Sequence, residues 1–303
     1  MDKRQRSELV KIFPDGVLFD RPMDQYTTFR VGGKAEAICH LTELNLLRQM
    51  VSYLNGENIP YIVVGKGSNL LVRDGGIRGV VIILKGNLAG VEKAGKDDDT
   101  LLAGGGLAIA ELLSFCSRNG LAGPEFLAGI PGTVGGAVFM NSGAYGKEIE
   151  SLLQEIRAVT GKGELAVIDR FQFKFSYRKL SIPKGMLIHG VTFKLCEDHA
   201  DKIKGRIADY LERRRESQPL DLPSGGSVFR NPPNDYAGRL IEQAGLKGTR
   251  IGGALISPKH ANFFVNAGGA KAKDIMALMD LAREKVRQKT GIELEQEIRV
   301  VGQ

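Results

Sequence analysis

Apolar positions along this chain alternate between two periods, and the changes of period mark its elements. Residues 1–30 form a mixed lead-in that predicts a short helix and a turn at its end. From Ala35 the run AEAICH reads as a strand. Leu46, Leu47, Met50, Val51 and Leu54 then recur at helical spacing, with Thr42 as the expected cap and Asn55-Gly56 as the stop. Tyr61–Val64 reads as a second strand. Between 65 and 195 the period is mostly two. VVIIL (80–84), TLLA (100–103), EIRAVT (155–160), ELAVI (164–168) and MLIHGVTFKL (186–195) predict strands. One helix interrupts them at 107–118, with Ala110, Leu113 and Ser117 along one face, and residues 96–99 predict a polar hairpin tip.

Beyond residue 200 the texture changes. Ile203, Ile207 and Leu211 mark an amphipathic helix ending in Arg213, Arg214 and Arg215, where basic side chains favour the helix dipole or bind phosphate. QPLDLPSGGS (218–227) reads as a linker and turn. A helix at 236–244, a strand at 261–266, a helix at 271–289 and a strand at 292–301 follow; Ile275, Leu278, Ala282 and Val286 trace the buried stripe of the long helix. The string thus predicts an α+β protein of three units, at 1–80, 81–205 and 206–303, with the last strand free to return toward the first unit.

Composition narrows the class. The chain has 303 residues, 43% of them hydrophobic, enough for two or three cores. Its formal charge of +7 suits anionic small ligands or nucleic acid. Basic residues do not alternate with aromatics and there is no Trp, which argues against nucleic acid. Cys39, Cys116 and Cys196 form no metal or redox pair, and the first two fall in apolar-periodic segments, as core residues of a reduced, cytoplasmic protein would. The four histidines have no metal-binding spacing, the start MDKRQRSELV lacks an apolar leader, and no stretch reaches membrane length.

The chemistry concentrates in glycine. Nineteen of the 39 glycines lie between Gly65 and Gly146, eleven of them in three bursts: VVGKGSNLLV (63–72), LLAGGGLAIAELL (101–113) and GIPGTVGGAVFMNSGAYG (129–146). Glycine lets main chain approach a ligand and lets N–H groups converge on an anion, so the bursts suggest a polyphosphate cofactor held by backbone; a series of tight turns is the plainer alternative. The first burst is not a dinucleotide fingerprint, because Leu70 takes the third glycine's place and a strand follows instead of a helix. No Walker loop is present. Gly65, Lys66, Gly67, Ser68 and Asn69 remain a candidate anion-binding turn. Gly129, Pro131, Gly132, Thr133, Gly135 and Gly136 predict a rigid, closely approached loop, and Ser142 and Gly143 a second turn against which a flat ring could lie.

These bursts, with FSYRK (175–179), GSVFRNP (226–232) and LEQEIRVVG (294–302), closely resemble the UDP-N-acetylenolpyruvoylglucosamine reductase family. The motifs occur in order over about nine-tenths of the chain. The resemblance implies an FAD-binding fold of the vanillyl-alcohol-oxidase (PCMH) type, with FAD held by the first two units and a C-terminal α+β domain for the UDP-sugar. It implies the family's shorter form, since no long insertion separates MLIHGVTFKL from the next helix. It implies NADPH as reductant of FAD, then hydride transfer to the enolpyruvyl group of the UDP-sugar, in a cytoplasmic monomer with no nucleic-acid or membrane partner. Within that family's motifs, Ser227 takes the place of the proton donor and Arg178 that of the group facing the developing enolate. Glu297 takes the place of the acid. Periodicity alone leaves Glu293, Glu295 and Glu297 equivalent, and the family pattern selects the last, whose role stays open. Asn231, Arg230, Tyr177 and His260 fall to the substrate, with Lys259 and Asn262 as further site-lining candidates. No metal is implied. The alternatives are an FAD oxidase of the same superfamily acting on an alcohol or sugar, and an anion-binding module without catalysis; the first would often carry a covalent flavin, and no His or Cys lies in the bursts to take one.

Overall fold

A computed structural model describes every residue except 15, 95–98 and 184, so most of the hairpin tip expected at 96–99 lies outside the described residues. The chain divides into two compact units that interleave along the sequence. The first comprises Met1–Phe19, Ala37–Gly65 and Gly79–Glu212; the second comprises Asp20–Glu36, Lys66–Arg78 and Arg213–Gln303. Among the described residues no helix is long and apolar enough to cross a membrane.

The first unit is built on two sheets. In one, Tyr61–Val63 runs parallel to the strand Ile77–Leu84, which is flanked by Lys34–Leu41. The helix Leu44–Gly56 buries Leu47, Met50, Val51 and Leu54 in a cluster with Ala37, Cys39, Val80 and Ile82. Its N-cap is Glu43, not Thr42, and no side chain caps it. Thr42 instead packs at Gly86, where a side-chain carbon would lie 2.8 Å from Thr42 Cβ. The other sheet is antiparallel, in the order Leu165–Asp169, Leu153–Val159, Leu187–Lys194, Thr100–Gly104, Val91–Lys93. The helix Ile109–Arg118 buries Ile109, Leu112, Leu113, Cys116 and Ser117. Ala110 is exposed, so the buried stripe is centred on Leu112 and Cys116 and differs from the expected one. Burial pushes the thiols of Cys39 and Cys116 up to about 12, which leaves both as inert core residues.

The glycine bursts knit this unit together by main chain. A side-chain carbon on Gly65 would overlap Thr133 Oγ1, and one on Gly135 would lie 3.0 Å from the Gly105 carbonyl. Gly135 N donates to Gly105 O at 2.9 Å, Val134 N to Leu107 O at 2.8 Å, and Ile109 N to Gly132 O at 3.0 Å. The expected loop at 129–138 is therefore partly a short helix, Val134–Phe139, whose N-cap Thr133 accepts from Gly136 N through Oγ1 at 3.4 Å.

The second unit carries an antiparallel sheet in the order Ser224–Ser227, Phe263–Asn266, Ala254–Ile256, Arg250–Ile251, covered by the helices Ala237–Gln243 and Ala272–Thr290. Ile275, Leu278, Ala282 and Val286 are buried against Phe229, Phe264 and Ile298. Two expectations change here. The expected linker at 218–227 ends as the edge strand Ser224–Ser227. Of the strand expected at 292–301, only Arg299–Val301 pairs continuously, in parallel with Leu70–Val72. Upstream of it a single bridge joins Gln296 to Phe229. The alternation survives without the strand: Leu294 and Ile298 are buried, Glu293 and Glu295 are exposed, and Glu297 is half-buried.

Two stability tests follow from the first unit. Gly65→Ala is expected to cost about 1–3 kcal/mol by overpacking, read from denaturant midpoints. Thr133→Ala should relieve that clash, so the double variant should lose less than the two single losses added together. The second test concerns His189, on the strand Leu187–Lys194, whose imidazole burial pushes down to about 4, with Arg157 adding to the shift. The folded state therefore resists protonation that the unfolded chain accepts below about 6.5. Stability should be unaffected above that pH and fall by at most about 2–3 kcal/mol as the pH drops to about 4. His189→Asn should flatten that slope in urea melts taken across this range.

Candidate active site

The first burst leaves the strand Tyr61–Val63 as an open turn. Among the described residues, the N–H groups of Gly65, Lys66, Gly67 and Ser68 donate to no protein acceptor. Gly67 has φ +62° and a side-chain carbon there would overlap the Tyr26 carbonyl, so only glycine fits. Its own carbonyl accepts from Thr28 N and Leu70 N, each at 3.4 Å. Gly65 and Lys66 are exposed and Ser68 is half-buried. Four successive N–H groups without a protein acceptor, beside a lysine, leave this turn able to receive an anion.

The third burst differs. Gly132, Val134, Gly135 and Gly136 spend their N–H groups inside the protein, on Ile130 O, Leu107 O, Gly105 O and Thr133 Oγ1. Within 129–136, among the described residues, Gly129, with φ +77°, and Thr133 keep theirs clear of a protein acceptor. Pro131 and Gly136 are exposed. This segment is thus a close-packed wall more than a nest of donors. Ser142 N is taken by Ala137 O at 2.8 Å, and Gly143 lies so close to the Lys147 carbonyl that a side-chain carbon would overlap it.

Also in the first unit, Tyr177 and Arg178 form the tip between the paired strands Lys174–Ser176 and Lys179–Ser181. The Arg178 guanidinium lies over the Tyr177 ring at 5.1 Å. Arg178 has φ +57°, a conformation that costs a non-glycine residue about 1–3 kcal/mol and recurs where function holds it. Beneath the tip, the fully buried Asn141 donates to Glu148 Oε2 at 2.7 Å and to the Ser176 carbonyl at 3.4 Å. Burial and the neighbouring Glu148 raise the Glu150 carboxyl above the usual range. Asn141 opens the turn that the sequence predicts at Ser142 and Gly143, where no site role is expected of it; Asn tolerates positive φ, and its own is +42°.

The second unit brings Ser227, Glu297 and the first burst onto joined backbone. Ser227 ends the strand Ser224–Ser227, opposite Phe263. The next residue, Val228, accepts from Glu297 N at 2.8 Å. Glu297 O in turn accepts from Asn69 Nδ2 at 3.2 Å, and Asn69 O accepts from Arg299 N at 2.9 Å. Glu295, the nearest rival acid, is an exposed side chain paired with Arg230 at 2.8 Å, whose Nε is buried without an acceptor. Such a rim pair contributes little stability. Asn231 is exposed and its Oδ1 accepts from Ala237 N at 3.1 Å, which leaves its amide as a donor. His260 accepts from Asn262 N through Nδ1 at 3.2 Å, and burial lowers its pKa, so it is neutral with the proton on Nε2. Lys259 donates to the Arg215 carbonyl. Asn262 is buried and clamps both main-chain groups of Phe229, at 3.0 and 2.7 Å, which is a structural use. Arg178 belongs to the first unit, whereas Ser227 and Glu297 belong to the second.

Residues 35–169 match an FAD binding domain family, and residues 218–301 match the family described as UDP-N-acetylenolpyruvoylglucosamine reductase, C-terminal domain. The chain is 43% identical to the UDP-N-acetylenolpyruvoylglucosamine reductase of Nitrosospira multiformis over 93% of its own length and 88% of that protein's. It is 41% identical to that of Geotalea uraniireducens over 98% of both chains. The crystal structure of the reductase from Thermus caldophilus superposes with a TM-score of 0.80 at 35% identity, covering 94% of this chain and 98% of that one. With full-length likeness at this level, the chain belongs to the UDP-N-acetylenolpyruvoylglucosamine reductase family.

Proposed function

We propose that this chain reduces UDP-N-acetylglucosamine enolpyruvate to UDP-N-acetylmuramate, a peptidoglycan precursor, with NADPH as donor and FAD as carrier. The observation that carries the reading is the hydrogen-bonded path from Val228, next to Ser227, through Glu297 to Asn69, which ties Ser227 and Glu297 to the turn with unpaired N–H groups. The residues present fit FAD: four free donors and Lys66 at Gly65–Ser68 suit a pyrophosphate, and the small residues of the wall at 129–143 suit the face of a flat ring. When bound, FAD supplies hydride transfer from NADPH to the vinyl terminus of the enolpyruvyl group.

The protein's own part is to manage charge and a proton. Negative charge develops on the carbon and carboxylate beside the accepting carbon. Arg178, always charged and able to grip a carboxylate in two places, neutralises it. The Ser227 hydroxyl donates the proton that completes the reduction, and Glu297 supports the acid side of that step. Asn231, Arg230, Tyr177 and His260 are assigned to the nucleotide sugar. The +7 charge draws anionic nucleotides in, with no nucleic acid required, and the chain is taken to act as a cytoplasmic monomer.

Stopped-flow spectroscopy separates the two half-reactions. In Ser227→Ala, flavin reduction by NADPH should persist while reoxidation by the enolpyruvyl substrate falls by about 100-fold or more. Loss of both together would make Ser227 a folding or cofactor residue. Arg178→Gly should slow reoxidation by a similar factor while the thermal midpoint holds or rises, because glycine accepts φ +57° without strain. A lowered midpoint with normal reoxidation would show that Arg178 serves the hairpin and not the substrate.

A further inference from the structure

Ser227 owes its place to an irregular strand that does not hold itself in position. The pairing of Ser224–Ser227 with Phe263–Asn266 shifts register between its two paired ends, Ser224 opposite Val265 and Ser227 opposite Phe263. Between them, Gly226 has φ +76° and a side-chain carbon there would meet nothing within 4 Å. Two glycines and a register shift leave this bulge with little stiffness of its own.

The stiffness comes from the segment Thr28–Arg30. Thr28 Oγ1 donates to the Ser224 carbonyl at 2.6 Å, at the upstream end of the bulge. The Phe29 ring is fully buried and lies directly under Gly225, where any side-chain carbon would overlap it. The segment is itself fastened to the neighbouring strand: Asn266 Nδ2 donates to the carbonyls of Phe29 at 3.1 Å and Arg30 at 3.3 Å. Thr28 N reaches the Gly67 carbonyl, so the clamp also abuts the first glycine turn.

The geometry points to Thr28 as a positioning residue for the Ser227 hydroxyl, with Phe29 as the floor that sets the height of the bulge. The inference rests on the proton-donor reading of Ser227 given above. Without the Thr28 hydroxyl the Ser224 carbonyl loses its tether and the bulge can shift. Displacement by about 1 Å is enough to slow a positioned proton transfer by up to 100-fold.

The test uses the FAD-loaded full chain in stopped flow, with Thr28→Val, Thr28→Ser, Ser227→Ala and the double variant Thr28→Val/Ser227→Ala. In Thr28→Val, flavin reduction by NADPH should stay within about twofold of wild type. Reoxidation by UDP-N-acetylglucosamine enolpyruvate should slow about tenfold or more, with a larger solvent deuterium isotope effect. Thr28→Ser keeps the donor and should restore most of the rate. The double variant should be no slower than Ser227→Ala alone, because Thr28 acts only through the serine. Gly225→Ala, which lifts the bulge off Phe29, should reproduce the Thr28→Val pattern. If Ser227→Ala collapses while Thr28→Val reoxidises normally, the positioning role is overturned and the serine reading stands. If Ser227→Ala itself reoxidises normally, the serine reading fails and the inference with it. Parallel loss of both half-reactions in Thr28→Val, or multiplied losses in the double variant, would make Thr28 a purely structural residue and would also overturn it.

Discussion

The close approach of main chain at Gly65, Gly105 and Gly135 is the constraint on which the first unit turns. A side chain at Gly65 would strike Thr133, and one at Gly135 would press on the Gly105 carbonyl. Because no side chain intervenes, the segments 105–109 and 132–135 bond backbone to backbone, through Gly135–Gly105, Val134–Leu107 and Ile109–Gly132. That close fit consumes the donors of the third burst and frees those of the first. The division of labour is physical: a segment cannot be both tightly paired to its neighbours and open to an anion. The unpaired turn is therefore Gly65–Ser68, while 129–143 supplies surface.

The second unit solves a different problem, the placement of small reactive groups without large side chains to hold them. Val228 and Asn69 connect Ser227 and Glu297 to the first burst, and none of the three bonds along that path is an ion pair. Ion pairs in this unit lie at its rim, as Arg230–Glu295 and Arg239–Asp235 do. An ion pair among reactive groups would fix their charge states and oppose proton transfer, whereas amide bonds fix position and leave the protons mobile. Holding this segment by backbone also explains its glycines: at 225 a side-chain carbon would overlap the Phe29 ring, and 226 has φ +76°.

Much of this was legible in the string, for reasons that differ by element. Long periodic segments spoke clearly: the helix at 272–290 buries Ile275, Leu278, Ala282 and Val286 as the spacing requires, and the strands at 80–84, 153–159 and 187–194 form. Errors fell where a non-local contact overrode a local preference. Thr42 is a good cap by residue type, but Gly86 claims its side chain. Ala110 has the spacing of a core residue, yet Leu112 and Cys116 give the helix Ile109–Arg118 a better buried face. Residues 292–298 alternate like a strand because they are half-covered, although they pair only at Gln296. At the site, residue types and motif order pointed to Ser227, Arg178 and Glu297. The supports were silent: nothing in the string around Thr28 says that its hydroxyl meets a carbonyl 196 positions away.

Arg178 sits at a hairpin tip built to hold it. The tip holds arginine where glycine would be cheaper, and the strain is borne by paired strands on both sides and by Asn141 beneath. A guanidinium on a flexible loop would lose rotational freedom each time it gripped a carboxylate. At a strained two-residue tip, with the Tyr177 ring alongside, much of that cost has already been met by folding. The same logic covers the serine bulge and the unpaired turn at Gly65–Ser68. In each, a locally unfavourable backbone persists because surrounding main chain over-determines it, and in each the group so held is one that the proposed mechanism uses.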